Sequence, residues 1–463
     1  MHGITLTKAP SDWEILQQKE GFAEVSLAGT YQVHPAAIEV GVESARPMAR
    51  VMREDDNTAV LPWTYLENHP AEHFTGTFTG TLRLPAGGLY RIETSLETKS
   101  TQPDLTWLYR GDCVLHVGVG NVFLLAGQSN SAGYGKDYAM DPPDLSVHLF
   151  RNRSRWDLAS HPMNESTDAG SLANEEMGIP GVSPYLSFGK QFSRLSGCPV
   201  GLVQTTLGGS PISRWLPETG DLYQNMLDKI ALTGGQYAGV LWYQGCSDAD
   251  EANAPLYYDR YRSMVEDLRA RLGYEIPFFT FQLNRFLVPG IDTYWGIVRE
   301  AQRKAAETIP GVYILPTTNC AISDAIHNSA HANMLLGEEL AKLCGHVLLG
   351  KEPFFAPELE SAALLPENVL CLTYRNVRLG FSLYSGLGSQ SGFTLTDEDG
   401  EIEITHIRAN REDRNHLYLT LTRAPKEHPL LSFAWEADPV THPPIDEVTF
   451  LPPLSFYQLP LCL

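Results

Sequence analysis

Three residues of this chain have the side chains that nucleophilic acyl transfer requires. Ser129 follows an apolar run at 122–126 and Gly127, a pattern that places a hydroxyl at the end of a buried strand. Asp324 and His327 lie near the other end of the same strand-and-helix region. Taken alone, Ser129 is equally consistent with an ordinary serine on a turn, but acyl transfer needs a hydroxyl, a base and a group that orients the base. We therefore predict Ser129 as nucleophile, His327 as base and Asp324 as its partner.

Donors for the oxyanion of such a reaction are available where two further strands are predicted to end. Gly208 and Gly209 follow the predicted strand 200–204, and glycine lets a backbone N–H approach a reacting carbonyl closely. Gln244 follows the predicted strand 239–243 and carries a side-chain amide. Each feature alone is more typical of a plain turn or loop, but together they favour one shared site.

A parallel sheet must hold these groups together. Between about residues 119 and 350, apolar strand segments alternate with helical segments, which indicates a parallel sheet with helices on both faces. Open α/β sheets bind ligands at the carboxyl ends of their strands. The predicted strands are 122–126, 200–204, 239–243, 277–283 and 312–316, and the predicted helices are 184–195, 255–272, 293–308 and 329–349.

One connection in this region is unusually long. Residues 135–182 are rich in Asp, Asn, Pro, Gly and Ser, and a loop of this length in a compact domain is usually functional or mobile. Because it begins just after Ser129, we expect it to face the substrate. For four further side chains, contact with substrate and a purely structural role are both open: Tyr134, Trp156, His161 and Asn284.

The regions on either side are predicted to be all-β. Alternating residues at 73–98 surround a Gly-rich turn, which favours a β-sandwich. Asp399-Gly400 lies between two alternating runs and indicates a hairpin. The predicted domains are a β-sandwich-like domain at 1–118, a catalytic α/β domain at 119–352 and a β domain at 353–463.

Composition excludes two classes of partner. With 463 residues and a formal net charge of −21, the chain is unsuited to binding nucleic acid or an anionic membrane surface. Its first residues lack the apolar core of a signal peptide, and no apolar run reaches the length of a spanning helix. We therefore expect a cytoplasmic protein, whose oligomeric state the sequence leaves open.

Cysteine and histidine spacing argues against a metal or redox centre. No Cys-x-x-Cys occurs, so most cysteines are interpreted as reduced thiols, including Cys246 at a strand end. His327 and His331 have a spacing that suits zinc, but a metalloprotease glutamate is missing between them; His331 is expected to line the mouth of the site or cap the helix. No metal and no cofactor are predicted. The seven cysteines are Cys113, Cys198, Cys246, Cys320, Cys344, Cys371 and Cys462.

Four segments, in this order along the chain, resemble the sequence blocks of SGNH-type carbohydrate esterases. The subgroup is typified by sialate O-acetylesterases and plant-type acetylxylan esterases. The triad order is also that of the α/β-hydrolases, but their Gly-x-Ser-x-Gly elbow is absent because Ser131 replaces its second glycine. The segments are Gly127-Gln128-Ser129-Asn130, Gly208-Gly209-Ser210-Pro211-Ile212 with Trp215, Trp242-Tyr243-Gln244-Gly245, and Asp324-Ala325-Ile326-His327.

The resemblance implies a flavodoxin-like sheet and metal-free hydrolysis of O-acetyl esters on sugars. It implies the catalytic roles given above and an oxyanion hole. The oxyanion donors would be the N–H of Ser129, the N–H of Gly209 in preference to Gly208, and the amide of Gln244. Trp215 is expected to contact substrate, and the alternative is that it lies in the core. The residues expected to contact substrate are Gln128, Asn130, Gly208 and Trp215.

Three segments depart from the family pattern. Cys246 replaces a glutamate, and Asn328 follows the histidine where the sialate branch commonly has proline. Ser131 and Ala132 replace the usual methionine segment. Because the predicted triad is intact, these changes affect the expected substrate rather than the reaction.

Two other functions are open on sequence grounds. A carbohydrate-binding protein with a decayed esterase site would suit the two flanking β domains, but an intact Ser, Asp and His argue against it. A general acylesterase or thioesterase of the same fold would share the triad. O-acetylated carbohydrate is the leading substrate class.

Overall fold

A computed structural model describes residues 2–101, 104–167, 169–439 and 442–461. Within these ranges the fold is mixed α/β. It contains one mixed sheet of 11 strands, three sheets of four strands and one pair of strands. Apolar clusters lie in the first region, on both faces of the large sheet and in the last region.

The first region consists mainly of β-strands. Its elements are β1 (Gly3–Lys8), β2 (Ile15–Gln17), β3 (Phe22–Gln32), α1 (Pro35–Glu39), β4 (Ser44–Arg53), β5 (Ala59–Tyr65), β6 (Glu67–Ala71), β7 (Thr75–Pro85), β8 (Gly87–Thr101) and β9 (Asp104–Gly127). Strand β3 pairs antiparallel with β7 along its whole length. Its buried Val25, Leu27 and Tyr31 share one face because alternate residues of a strand point the same way.

Parallel strands organise the middle region. Its strands are β10 (Val147–Phe150), β11 (Trp156–Leu158), β12 (Val200–Gln204), β13 (Gly239–Tyr243), β14 (Phe278–Phe281) and β15 (Val312–Leu315). Its helices are α2 (Ser129–Ala132), α3 (Tyr185–Ser196), α4 (Asp221–Leu232), α5 (Tyr257–Leu272), α6 (Asp292–Thr308) and α7 (Ala330–Leu349). The parallel order is β10, β12, β9, β13, β14, β15, and β11 pairs antiparallel with β10 at the edge.

Helices cover both faces of this sheet because its strands are apolar on both. Val122 and Leu124 of β9 pack in a cluster with α5 and α6, whereas Phe123 and Leu125 pack in a second cluster with α3 and α7. Successive strand residues point to opposite faces, so a continuous apolar run requires a cover on each side. Strands β12 and β13 are fully buried and have the bounds predicted from the sequence.

The sequence prediction omits helix α4 and strands β10 and β11. Helix α4 has Leu222, Met226 and Ile230 buried on one face, and this four-residue spacing is a signal that would have identified it. Strands β10 and β11 have four and three residues, too few for a periodic pattern. They lie within 135–182, which the sequence prediction treats as a loop.

Strand β9 joins the first region to the middle one. It has 24 residues, of which the earlier ones pair with β8 and the later ones with β12 and β13. It therefore runs without interruption through the boundary predicted between residues 118 and 119. The division into three domains stays a prediction.

The last region returns to β structure. Its strands are β16 (Glu358–Leu365), β17 (Val369–Arg375), β18 (Phe381–Ser382), β19 (Phe393–Asp397), β20 (Gly400–Ile402), β21 (Ile404–Ala409), β22 (His416–Leu421), β23 (Leu430–Phe433), β24 (Ile445–Asp446) and β25 (Phe456–Pro460). Two four-stranded sheets have the orders β16-β17-β22-β21 and β20-β19-β23-β25. The hairpin predicted at Asp399-Gly400 is the β19–β20 pair, and Gly400 has the positive φ of 104° that such a turn requires.

The described cysteines are free thiols, namely Cys113, Cys198, Cys246, Cys320, Cys344 and Cys371. Cys462 lies outside the described residues. Of the helices in the described ranges, none combines the length and the apolar character of a bilayer-crossing segment. The cytoplasmic location stays a prediction.

Candidate active site

Ser129 lies at the carboxyl edge of the large sheet, where β9 ends. Gly127 has a φ of 126°, and a Cβ at this position would overlap the carbonyl oxygen of Tyr243, so the close approach of β9 to β13 requires glycine. The N–H of Gln128 donates to the same carbonyl oxygen at 2.9 Å. Ser129 then opens the short helix α2 and is 6% exposed.

Asp324 and His327 form a hydrogen-bonded pair on the loop before α7. Nδ1 of His327 lies 2.7 Å from the carboxylate of Asp324, which also accepts the backbone N–H groups of Ile326 and His327 at 2.9 and 2.8 Å. Burial acts to raise the pKa of Asp324, but these hydrogen bonds outweigh it and hold the pKa below its usual value. The ionised carboxylate orients the ring and leaves Nε2 free to exchange a proton.

Asn130 connects the serine to the histidine loop. Its amide Nδ2 donates to the carbonyl of Ile326 at 3.2 Å, and its Oδ1 accepts the N–H of Asn328 at 3.0 Å. Among the described residues, no hydrogen bond joins the Ser129 hydroxyl directly to His327, so Asn130 is the link between them. Its buried amide makes these two contacts with the loop, whereas the sequence prediction had assigned it to the substrate.

Asn284 supports the same loop from the end of β14. Its Nδ2 donates to the carbonyl of Ile326 at 2.5 Å, so this carbonyl accepts from two asparagines. Its Oδ1 lies 3.7 Å from the thiol of Cys246. Burial raises the pKa of the Cys246 thiol to about 12, so the thiol is neutral and is suited to packing rather than to nucleophilic attack.

The two glycines after β12 differ in how their backbone N–H groups are bonded. The N–H of Gly208 donates to the carboxylate of Glu176 at 3.0 Å. Gly209 is exposed, has a φ of 68°, and a Cβ there would meet no atom within 4 Å. Within the described part of the chain, the backbone N–H groups of Gly209 and Ser129 have no acceptor. Their role as oxyanion donors stays a prediction.

The side chain of Gln244 is engaged elsewhere. It is fully buried, and its Nε2 donates to the carbonyl of Ser210 at 3.1 Å and to Asp248 at 2.5 Å. Both amide hydrogens are therefore used, and the group predicted as an oxyanion donor holds the loop after Gly209 instead. The sequence does not reveal this because Asp248 meets Gln244 only through the turn of the chain after β13.

Two residues predicted to contact substrate have structural partners. Oε1 of Gln128 accepts the N–H groups of Gly245 and Ser247 at 2.9 and 3.4 Å, which fixes the turn after β13. Trp215 is fully buried, with its ring edge-on to Trp242 at 5.3 Å. The expectation that Trp215 contacts substrate is corrected accordingly, because a core side chain presents no face to a ligand.

Three further candidates also have structural roles. Trp156 packs in the core, and Nε2 of His161 lies 2.9 Å from Asp141. His331 is exposed, and its Nδ1 lies 3.2 Å from Asp137. Within the described ranges, no three His, Cys, Asp or Glu side chains converge as metal ligands.

The long segment 135–182 reaches the site through Glu176, which the sequence prediction missed. The Glu176 carboxylate accepts the hydroxyl of Tyr134 at 2.6 Å and the N–H of Gly208. The ring of Tyr134 stacks on His327 with centroids 4.8 Å apart. A single glutamate in an unpatterned loop gives no sequence signal, so only the three-dimensional structure identifies it.

Comparison with known proteins gives a consistent relationship. Residues 119–346 match the family model described as carbohydrate esterase, sialic acid-specific acetylesterase, which confirms the resemblance found in the sequence. A probable carbohydrate esterase of Arabidopsis thaliana is 28% identical over 245 residues, which are 48% of this chain and 88% of that protein. A solved carbohydrate acetylesterase from Xanthomonas citri shares the fold, with a TM-score of 0.63 and 20% identity over 98% of this chain and 99% of that one.

Proposed function

Since residues 119–346 belong to the carbohydrate esterase family of sialic acid-specific acetylesterases, we propose that this protein hydrolyses O-acetyl esters on carbohydrates through a serine nucleophile. The observation that carries this mechanism is the position of Asn130. It follows Ser129 directly and holds the peptide groups on both sides of His327. The nucleophile and the base are thereby kept at one edge of the sheet.

The proposed reaction has two half-reactions. The Ser129 hydroxyl attacks the acetyl carbonyl while Nε2 of His327 takes its proton, and Asp324 stabilises the resulting imidazolium. The tetrahedral adduct collapses to acetyl-serine, and the sugar hydroxyl leaves with the proton from the imidazolium. Water then attacks the acetyl group with His327 as base, and the serine oxygen leaves with that proton, which releases acetate.

The oxyanion of both half-reactions is assigned to backbone donors. The N–H groups of Ser129 and Gly209 have no protein acceptor among the described residues, and preorganised donors of this kind supply much of the rate in acyl transfer. Gln244 is assigned an indirect part, because its amide holds the carbonyl of Ser210 next to Gly209. To act as a third donor, it would have to give up one of its present hydrogen bonds.

The strand order supports this location for the site. Apart from the edge strands β10 and β11, the order is β12, β9, β13, β14 and β15, and these five strands, numbered along the chain, have the arrangement 2-1-3-4-5 of flavodoxin-like sheets. In such sheets, ligands bind where the strand order reverses. Here that point lies between β9 and β13, and Ser129 and Gly245 follow these two strands.

Replacement of Ser129 by alanine tests the nucleophile. We expect Ser129→Ala to remove nearly all turnover of 4-nitrophenyl acetate and to abolish covalent labelling by a serine-reactive phosphonate. Ser26→Ala, at an exposed position of β3, is the matched control and should keep both properties. Turnover by Ser129→Ala at the wild-type rate would overturn the proposed mechanism.

The sugar class requires a separate test. We propose an O-acetylated carbohydrate of the sialate or xylo-oligosaccharide type. A panel of acetylated sugars, longer acyl esters and thioesters, compared by kcat/KM, should give the highest values for acetylated sugars. A preference for long acyl chains or thioesters would instead indicate a general acylesterase or thioesterase.

A further inference from the structure

Glu176 lies where the glycine loop and the catalytic histidine meet. We propose that Glu176 and Tyr134 act together as positioning residues, which hold the ring of Tyr134 against His327 and keep the Gly208–Gly209 loop in place. This inference rests on the proposed serine esterase function. It assigns a role to the long segment 135–182, which contributes Glu176.

One carboxylate makes both connections. Oε1 of Glu176 accepts the Tyr134 hydroxyl at 2.6 Å, and Oε2 accepts the N–H of Gly208 at 3.0 Å. A Cβ on Gly208 would overlap Oε1 of Glu176, so the loop lies in direct contact with the carboxyl group. Because Gly208 precedes Gly209, the contact fixes the backbone that presents the proposed oxyanion donor.

Tyr134 links Glu176 to His327 because its ring stacks on the imidazole. The two rings lie 4.8 Å apart with an angle of 26° between their planes. Burial, followed by the hydrogen bond and the charge of Glu176, raises the pKa of Tyr134 well above its usual value. The phenol therefore stays protonated and donates a hydrogen bond to the carboxylate, which makes the ring electron-rich. Such a ring face stabilises a cation, here the imidazolium that forms when His327 takes the proton of Ser129.

A buried network fixes the position of Glu176. Asn164 donates to Oε2 of Glu176 at 2.6 Å, and Asn152 donates to Asn164 at 2.6 Å. Lys229, on α4, donates to Asn152 at 3.0 Å and to the carbonyl of Gln204 at 2.5 Å. The carboxylate is thus connected to the end of β12, the strand that precedes the glycine loop. A side chain that contacts only substrate would not need this support.

The test compares Glu176→Ala, Glu176→Gln and Tyr134→Phe with 4-nitrophenyl acetate, whose small acetyl group does not depend on sugar contacts. We expect kcat to fall on the order of 10- to 100-fold in Glu176→Ala with little change in KM, as loss of positioning predicts. Glu176→Gln should recover part of this loss, because its oxygen still accepts from Gly208 and Asn164. The double variant Glu176→Ala/Tyr134→Phe should lose no more than the worse single variant, because residues that act as a unit are not additive.

Controls separate this inference from the proposed function. Glu175→Ala alters the exposed neighbour of Glu176 and should keep wild-type kcat. If Glu176→Ala does not fold, Glu176→Gln and Tyr134→Phe decide the question. Turnover that survives Ser129→Ala would overturn both proposals. Turnover lost in Ser129→Ala, but unchanged in kcat or changed only in KM by the Glu176 and Tyr134 variants, would overturn this inference alone.

Discussion

The side-chain oxygen of Asn130 accepts the backbone N–H of Asn328 at 3.0 Å, which ties the residue after Ser129 to the residue after His327. The same amide donates to Ile326 on the other side of the imidazole. A misplacement of about 1 Å can cost on the order of 100-fold in rate. We therefore expect the distance between hydroxyl and base to depend on this side chain, while Asn284 supports the same loop from β14.

Replacement of Asn130 by alanine should reduce both activity and stability. It removes both contacts and leaves the N–H of Asn328 without its partner. We expect the free energy of unfolding to fall by about 1–3 kcal/mol and kcat for 4-nitrophenyl acetate to fall by at least about 10-fold. Urea denaturation and steady-state kinetics measure the two effects. Asn284→Ala is the comparison, because it removes one donor from Ile326 but leaves the contact with Asn328. Equal kinetics in wild type and Asn130→Ala would contradict the proposal that Asn130 positions the histidine loop.

Replacement of Asp324 by asparagine should lower kcat/KM without unfolding the protein. An amide cannot accept from the ring and from two backbone N–H groups as a carboxylate does, so the imidazole loses its preferred tautomer. We expect a loss of roughly 10³-fold or more, as in other triads. Asp137→Asn is the matched control, because Asp137 also pairs with a histidine, His331, to which no part in the reaction is assigned. A similar loss in both variants would argue against a specific role for Asp324.

The pH dependence of the histidine loop provides a second measurement on Asp324. Its pKa lies below the usual value, so the carboxylate remains ionised where an ordinary aspartate begins to protonate, at about pH 4. The stabilising contact with His327 is present above that range and is lost only as the pH falls through the lowered pKa. Loss of the hydrogen bonds from the N–H groups of Ile326 and His327 to Asp324 above about pH 5, followed by amide NMR, would contradict this expectation.

The sequence predicted the parts of this fold that depend on local pattern. Strands β12 and β13 are mainly apolar runs, and their bounds can be predicted from the order of residues along each segment. The roles of Gln244 and Trp215 depend on neighbours brought in by packing, namely Asp248 and Trp242. No pattern within a single segment indicates those contacts, and for the same reason no local pattern identifies Glu176.

Lys229 should make stability depend on pH in a direction that can be measured. It is buried, and burial lowers its pKa to about 7, whereas in the unfolded chain the pKa returns to its usual value near 10.4. Between these pH values the unfolded chain binds a proton that the folded chain does not, so the free energy of unfolding from this group rises with pH. This contribution is complete above the unfolded pKa and is lost as the pH falls through 7.

Lys229→Met isolates this contribution. The difference in unfolding free energy between wild type and variant should shift in favour of wild type as the pH rises from about 7 to 10, as urea denaturation across this range would show. Lys8→Met, at an exposed position of β1, should show no such trend. A wild-type to Lys229→Met difference that is constant with pH would mean that Lys229 has the same charge in the folded and unfolded chains.

Arg299 should couple the last region of the chain to the histidine loop. It is fully buried on α6, and its guanidinium donates to the carbonyl of Ala434 at 2.8 Å and to that of Asn284 at 2.7 Å. Burial lowers its pKa to about 10, so it remains charged at neutral pH. Lysine cannot reach both carbonyls because its donors are on one atom. We expect Arg299→Lys to reduce the free energy of unfolding by roughly 2–4 kcal/mol.

The same variant should also reduce activity, because Asn284 would no longer be held beneath Ile326. Asn284→Ala separates the two effects: it leaves the guanidinium bonds intact and removes the contact with the histidine loop, together with the weak contact with the Cys246 thiol. We expect Asn284→Ala to lower kcat with a smaller loss of stability, and Arg299→Lys to lower both. If Arg299→Lys unfolds at the wild-type urea concentration and retains full activity, the last region does not support the proposed site through this arginine.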